Sequence, residues 1–267
     1  MAQIGIAQTG ITSNKPTSGG GGAPTTDNYV LGAQDAVNLP NSVAIPGLYG
    51  GPDVQPASPG TLDDEFPGTS LSGSWTQKNL TGVTTKVGGS YLQMVKTGTA
   101  ASGPIQIARI VKTAPATPWT VIAKFSGGSD LASGAVFGSA NKQFGLHLED
   151  GTGKILGFVV WWESTTAAGI PQLQIERLNS QTSFSAFSAT LGPFGAAWSG
   201  IWLKIQDDGT NLIYSYSLNG VIYHFMFKES RTAWLSAGPT LVGIGLDNEE
   251  VSTVNLSLVC DYFRRTQ

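Results

Sequence analysis

Between Trp119 and Phe125, Trp119, Val121, Ala123 and Phe125 alternate with Thr120, Ile122 and Lys124, a period of two residues. The same two-residue period runs through Phe144, Leu146 and Leu148 against Gly145, His147 and Glu149, and through Leu173 and Ile175 against Gln172, Gln174 and Glu176. Successive side chains of a strand point to opposite faces, so this period predicts half-buried β-strands. The clearest unit spans residues 201–227. Ile201, Leu203 and Ile205 share a face, and Asp207-Asp208-Gly209-Thr210-Asn211 turns the chain. Leu212, Tyr214 and Tyr216 return, Leu218-Asn219-Gly220 turns again, and Val221, Tyr223, Phe225 and Phe227 complete a three-strand meander. Asn-Gly accepts the positive φ angles of tight hairpins. A last strand sets Val254, Leu256, Leu258, Cys260 and Tyr262 against Asn255, Ser257 and Asp261. No run of ten residues carries a 3.6-residue period, and no repeat of 20–50 residues is visible. Many short strands separated by turns predict an all-β sandwich or barrel.

That pattern holds only beyond residue 61. Residues 1–60 contain seven of the 14 prolines and 11 of the 35 glycines, and their only aromatics are Tyr29 and Tyr49. Such a segment cannot bury enough apolar surface to offset its own ordering entropy. Yet Ile4, Ile6, Ile11, Tyr29, Val30, Leu31, Val37, Leu39, Val43, Ile45 and Leu48 recur too often for a plain linker. The chain therefore divides into an extended arm, 1–60, that orders against a partner, and a β-domain, 61–267.

Charge and length exclude several functions. Fifteen Lys+Arg against 18 Asp+Glu leave a formal net charge of −3, without the basic footprint of a nucleic-acid binder. The apolar run Ile155–Trp162 is far too short for a membrane-spanning helix, which needs about 20 residues, so no membrane insertion is expected. Met1-Ala2-Gln3-Ile4-Gly5 does not read as a secretory signal. One cysteine, Cys260, allows no internal disulfide, and its apolar phase predicts a buried small hydrophobe.

Two resemblances sharpen the picture. Leu62-Asp63-Asp64-Glu65-Phe66 with Leu71-Ser72-Gly73-Ser74-Trp75, the stretch Trp202 to Gly220, and Val259-Cys260-Asp261-Tyr262-Phe263-Arg264 resemble the first strand, a central hairpin and the closing strand of concanavalin A-like lectin/glucanase domains of the laminin-G-like kind. The resemblance implies a two-sheet antiparallel jelly-roll sandwich whose last strand pairs back with its first. In the arm, Asp27-Asn28-Tyr29-Val30-Leu31-Gly32-Ala33-Gln34-Asp35-Ala36 and Leu39-Pro40-Asn41-Ser42 are similar to a phrase common in bacteriophage virion proteins. That resemblance implies a head-decoration, fibre or tail accessory protein, anchored to the major capsid or tail protein through Tyr29, Val30, Leu31 and Leu39. It also suggests a homotrimer at the virion surface.

Catalytic motifs are not found. Retaining glucanases of this fold set two carboxylates about 5–5.5 Å apart from alternate positions of one strand, and no Glu-x-Asp-x-Glu pattern occurs. The acidic clusters Asp63-Asp64-Glu65, Glu149-Asp150, Asp207-Asp208 and Asp247-Asn248-Glu249-Glu250 sit beside Gly, Asn or Pro and read as solvated turns. Glu163 follows Trp161-Trp162 and reads as a strand end at the rim of the core, with a sugar platform as the alternative. Adjacent Trp161 and Trp162 must face opposite ways, and the phase of Leu156, Phe158 and Val160 puts Trp162 inside and Trp161 in a cleft or interface. His147 and His224 fall on polar phases and read as exposed. Gly151-Thr152-Gly153-Lys154 reads as a hairpin turn. No cofactor is expected. Calcium is the one ion for which Asp207, Asp208, Asn211, Asp247, Asn248 and Glu249 offer loop oxygens, without a spaced motif. The expectation is a non-enzymatic virion structural protein. The alternatives are a virion adhesin that binds a host glycan near Trp161 and, after that, a polysaccharide-degrading enzyme.

Overall fold

A computed structural model describes residues 63–97, 105–129, 142–162, 171–192, 200–248 and 255–266. The arm with Tyr29, Val30, Leu31 and Leu39 lies outside the described residues, as does Glu163. Fourteen strands are described: β1 (Thr76–Lys78), β2 (Val83–Val87), β3 (Leu92–Lys96), β4 (Ala108–Thr113), β5 (Trp119–Ser129), β6 (Lys142–Glu149), β7 (Ile155–Trp162), β8 (Gln172–Ser180), β9 (Ser183–Leu191), β10 (Ile201–Asp207), β11 (Asn211–Ser217), β12 (His224–Ser230), β13 (Leu241–Asn248) and β14 (Leu256–Thr266).

They form two antiparallel seven-stranded sheets, ordered β1-β4-β13-β6-β7-β8-β9 and β12-β11-β10-β5-β14-β3-β2. The core lies between them, as the alternating runs require. Val121, Ala123 and Phe125 of β5 meet Phe144, Leu146 and Leu148 of β6, with Phe125 and Phe144 ring centroids 6.2 Å apart. Phe158 of β7 meets Tyr214 of β11 edge to face at 5.7 Å. The sandwich closes as the resemblance implies: Asp64 N donates to Phe263 O at 2.8 Å, and Phe263 N returns a bond to Asp64 O at 2.9 Å.

The structure shifts three expectations. The meander's third strand starts at His224 rather than Val221, because Asn219 Oδ1 accepts the backbone N–H of both Val221 and Ile222 and holds them in the turn. A bulge in the β11–β12 pairing leaves Met226 of β12 without a partner, so Phe225 pairs with Ser215 and is 65% exposed while Phe227 pairs with Tyr214 and packs against the core, although the period put both on one face. In β14 a second bulge falls between Cys260 and Tyr262. Cys260 and Phe263 consequently reach the core together, and Tyr262 turns to the outer face, away from the side its period assigned.

Candidate functional site

The outer face of the first sheet concentrates the unusual chemistry. Core residues of β6, β7 and β13 alternate with Gln143, Gly145, His147, Glu149, Gly157, Val159, Trp161, Gly243, Gly245 and Asp247, which face away from the second sheet. Registry aligns these positions into rows: Asp247, Gln143, Trp161 and Gln172; then Gly245, Gly145, Val159 and Gln174; then Gly243, His147, Gly157 and Glu176.

The glycines make a floor on which long polar side chains lie. A Cβ on Gly245 would come within 2.7 Å of Arg109 Cγ and 2.8 Å of His147 Nδ1. One on Gly157 would come within 2.5 Å of Glu176 Oε1. On this floor Glu149 is held by two cations, Lys78 Nζ at 2.6 Å and Arg109 Nη1 at 2.8 Å. His147 Nε2 stands 3.6 Å from Glu176 Oε1. Burial, reinforced by the Arg109 charge, pushes the imidazole down to about 3, so it is neutral near pH 7. Burial also lowers Arg109 against the pull of Glu149. One flank of the face is roofed. Ile107 N donates to Gln181 O at 3.0 Å, and Ile105 and Ile107 form a small apolar cluster with Ile155 and Leu178.

At the sheet edge the chemistry becomes aromatic. Three register irregularities between β8 and β9 insert extra residues, and such bulges re-aim side chains. Phe184 pairs with Leu178 and Phe187 with Glu176, so both rings fall on this outer face although they are three residues apart. Their centroids are 4.8 Å apart, and Phe187 meets Trp161 edge to face at 5.6 Å. Phe184 is 40% and Phe187 43% exposed, whereas Trp161 is only 6% exposed. Beside them, Gln174 Nε2 donates to Gln172 Oε1 at 3.3 Å. Gln174 Oε1 and both amide atoms of Gln143 have no hydrogen-bond partner in the protein.

Several sequence expectations need correction here. Trp161 does face away from Trp162, but it is buried under Phe187 rather than open. His147 is fully buried, because its face of the sheet is covered, while His224 is exposed as expected. Of the acids expected in solvated turns, Asp64, Glu149, Asp150, Asp207 and Asp247 are buried instead, and Glu249 and Glu250 lie outside the described residues. Asp64 accepts from Phe66 N, Trp75 Nε1 and Lys112 Nζ. Asp150 ties its hairpin through Thr152 N and Lys154 N and reaches Ser236 N. Asp207 pairs with Arg231 at 2.7 Å, and Asp247 with Lys96 and Gln106 N. Among the described acids of these clusters only Asp208 is exposed, as expected, bonded to Thr210 N and Asn211 N of its own turn. Among the described residues no group of three or more His, Cys, Asp or Glu is placed to hold a metal ion. Cys260 is buried, and burial pushes its thiol up, as expected of a packing residue.

The sequence reading missed Arg109, Gln143, Gln174, Phe184 and Phe187. The spaced glycines at 145, 157, 243 and 245, opposite an apolar phase, were the available signal of close-lying side chains above them.

No protein-family model matches the chain, and a search of curated proteins found no match. Solved structures do resemble it. Xylan β-1,4-xylosidase from Bacillus halodurans C-125 superposes with a TM-score of 0.54 at 12% identity, over 80% of this chain and 40% of that one. The GH43 BlXynB protein from Bacillus licheniformis gives 0.52 at 14% identity, over 76% and 38%. The catalytic domain of an endo-1,3-β-glucanase (laminarinase) from Thermotoga petrophila RKU-1 gives 0.51 at 9% identity, over 77% and 96%. The chain thus spans about two fifths of the two Bacillus proteins. At these identities the likeness is one of fold: a β-sandwich shared with glycoside hydrolases.

Proposed function

We propose that this chain is a bacteriophage virion protein whose sandwich is displayed at the particle surface and binds a glycan there without cleaving it. The observation that carries the binding role is the aromatic step on β9. Bulges turn Phe184 and Phe187 onto one face, Trp161 braces them from below, and the amides of Gln172 and Gln174 lie alongside. Aromatic faces beside amide groups suit a sugar, whose rings are apolar on their C–H faces and polar at their edges. The neighbours named for xylosidase and glucanase activity show that this sandwich accompanies polysaccharide chemistry elsewhere.

The binding-only reading is supported by the carboxylates. Glu149 and Glu176 share the outer face but stand on β6 and β8, with β7 between them and a two-residue offset. Two strand spacings are on the order of 10 Å, and Glu149 is already neutralised by Lys78 and Arg109. The virion role rests on the resemblance of residues 27–42. In this reading the arm of residues 1–60 holds the protein, as a homo-oligomer, to the major capsid or tail protein.

A glycan array probed with the full-length chain tests the proposal. Binding that Phe187→Ala abolishes is the expected result. An array without signal above background removes the glycan role and leaves a purely structural virion protein. Release of reducing ends from bacterial polysaccharides, lost in Glu163→Gln, would establish an enzyme instead.

A further inference from the structure

We infer that the glycan taken at this face is uncharged, and that Gln143, recessed behind the aromatic step, is a specificity-determining residue that hydrogen-bonds one of its polar groups. The inference rests on the binding role proposed above. Gln143 is fully buried, in the same row as Trp161 and Gln172, and its Oε1 and Nε2 both lack a partner in the protein. Gln174 Oε1, one row further, is also unpaired. Leaving such an amide unsatisfied destabilises a fold, and such groups are few in native proteins, so each one calls for a partner or a role.

The groups around Gln143 set the charge preference of this face. Arg109 and Lys78 share the single carboxylate of Glu149. His147 is neutral, and Glu176 stands against it. Asp247, at the end of the Gln143 row, is paired with Lys96. Three cations (Lys78, Arg109, Lys96) thus face three carboxylates (Glu149, Glu176, Asp247), so the described part of this face has no net positive charge to offer a carboxylate or sulfate, and an acidic sugar would lose its hydration without compensation. A hydroxyl or acetamido group, offering both donor and acceptor, matches the free Oε1 and Nε2 of one amide.

The test compares neutral oligosaccharides (glucan, xylan and mannan oligomers) with uronic acid oligomers of equal length, using the full-length chain and titration calorimetry. Wild type should bind the best neutral oligomer at least tenfold more tightly than any acidic one. Gln143→Leu should weaken that binding tenfold or more while its melting temperature stays level or rises, because a buried unpaired amide has been removed. Gln143→Met, closer in shape, should behave alike. Unchanged affinity in both variants overturns the role of Gln143. Affinity lost together with melting temperature overturns it too, as a packing effect. Equal binding of acidic oligomers overturns the charge preference. Each of these leaves the glycan role standing, whereas a wild type that binds no oligomer removes both.

Discussion

Trp202 Nε1 donates a hydrogen bond to Tyr262 Oη at 2.7 Å, across the outer face of the second sheet. The two residues belong to β10 and β14, and Lys124 of β5 lies between them in register with both. Only the bulge after Cys260 makes this possible, since without it Tyr262 would point into the core. Both partners are buried, so the bond fastens three strands where solvent cannot compete.

Tyr262→Phe keeps the ring and removes the acceptor, leaving the indole N–H buried and unpaired. A loss of about 1 kcal/mol is expected, read as a lower urea midpoint with an unchanged slope. Unchanged stability would mean that the indole finds another acceptor.

The glycine floor predicts position-specific intolerance. A Cβ at Gly145 would meet the carbonyl oxygen of Phe158 at 2.2 Å, and backbone cannot swing aside as a side-chain tip can. Gly145→Ala should cost about 3 kcal/mol or more. Gly151→Ala, in the open β6–β7 turn with nothing within 4 Å, should stay within about 0.5 kcal/mol of wild type. Thermal melts of the pair decide it, and equal melting temperatures would refute the close approach.

His147 predicts an acid dependence. Its folded value near 3 lies below the ordinary 6.5. The unfolded chain therefore takes up a proton below pH 6.5 while the folded one does not. The contribution is fully present above pH 6.5 and is lost as pH falls from there toward 3. Between pH 7 and 5 the loss is about 2 kcal/mol. Unfolding free energies from urea titrations at the two pH values should fall less in His147→Gln than in wild type by that amount, and parallel falls would show that the imidazole titrates normally.

Asp64 anchors the opening segment, accepting from Trp75 Nε1 at 2.5 Å and Lys112 Nζ at 3.3 Å. Asp64→Asn leaves Lys112 buried without its counter-charge and should cost about 3 kcal/mol. Pairing it with Lys112→Met should restore part of that loss, as measured by chemical unfolding of the single and double variants. A double variant no better than Asp64→Asn alone would place the cost elsewhere.

Sequence periodicity proved most reliable where strands are regular. The faces of β5 were legible residue by residue, as were the opposed Trp161 and Trp162. It failed at bulges, because one extra residue inverts every later position and leaves no compositional mark. That is why Tyr262 was misassigned, and why β9, whose period is broken twice, at Ser185 and Ser188, did not stand out as a strand. The candidate site was less legible still. A period of two says which face a residue occupies, not whether that face is covered. His147 therefore read as exposed and Trp161 as open. The buried acids were misread because their cations, such as Lys112 for Asp64 and Arg231 for Asp207, lie 24 or more residues away in sequence.

The pairing of Asp64 with Phe263, with Arg265 N bonded to Asp63 Oδ1 at 2.7 Å, brings the two ends of the described sandwich together. Strand order along the chain is then separable from strand order in the sheets. A circularly permuted chain, joined by a short linker from residue 266 to residue 63 and reopened in the Asp150–Lys154 hairpin, keeps every β-ladder of both sheets. It also moves the free ends to the turn at Gly151. A molecule grafted there would leave from a different corner of the sandwich than one attached after residue 266, which lies beside residue 63.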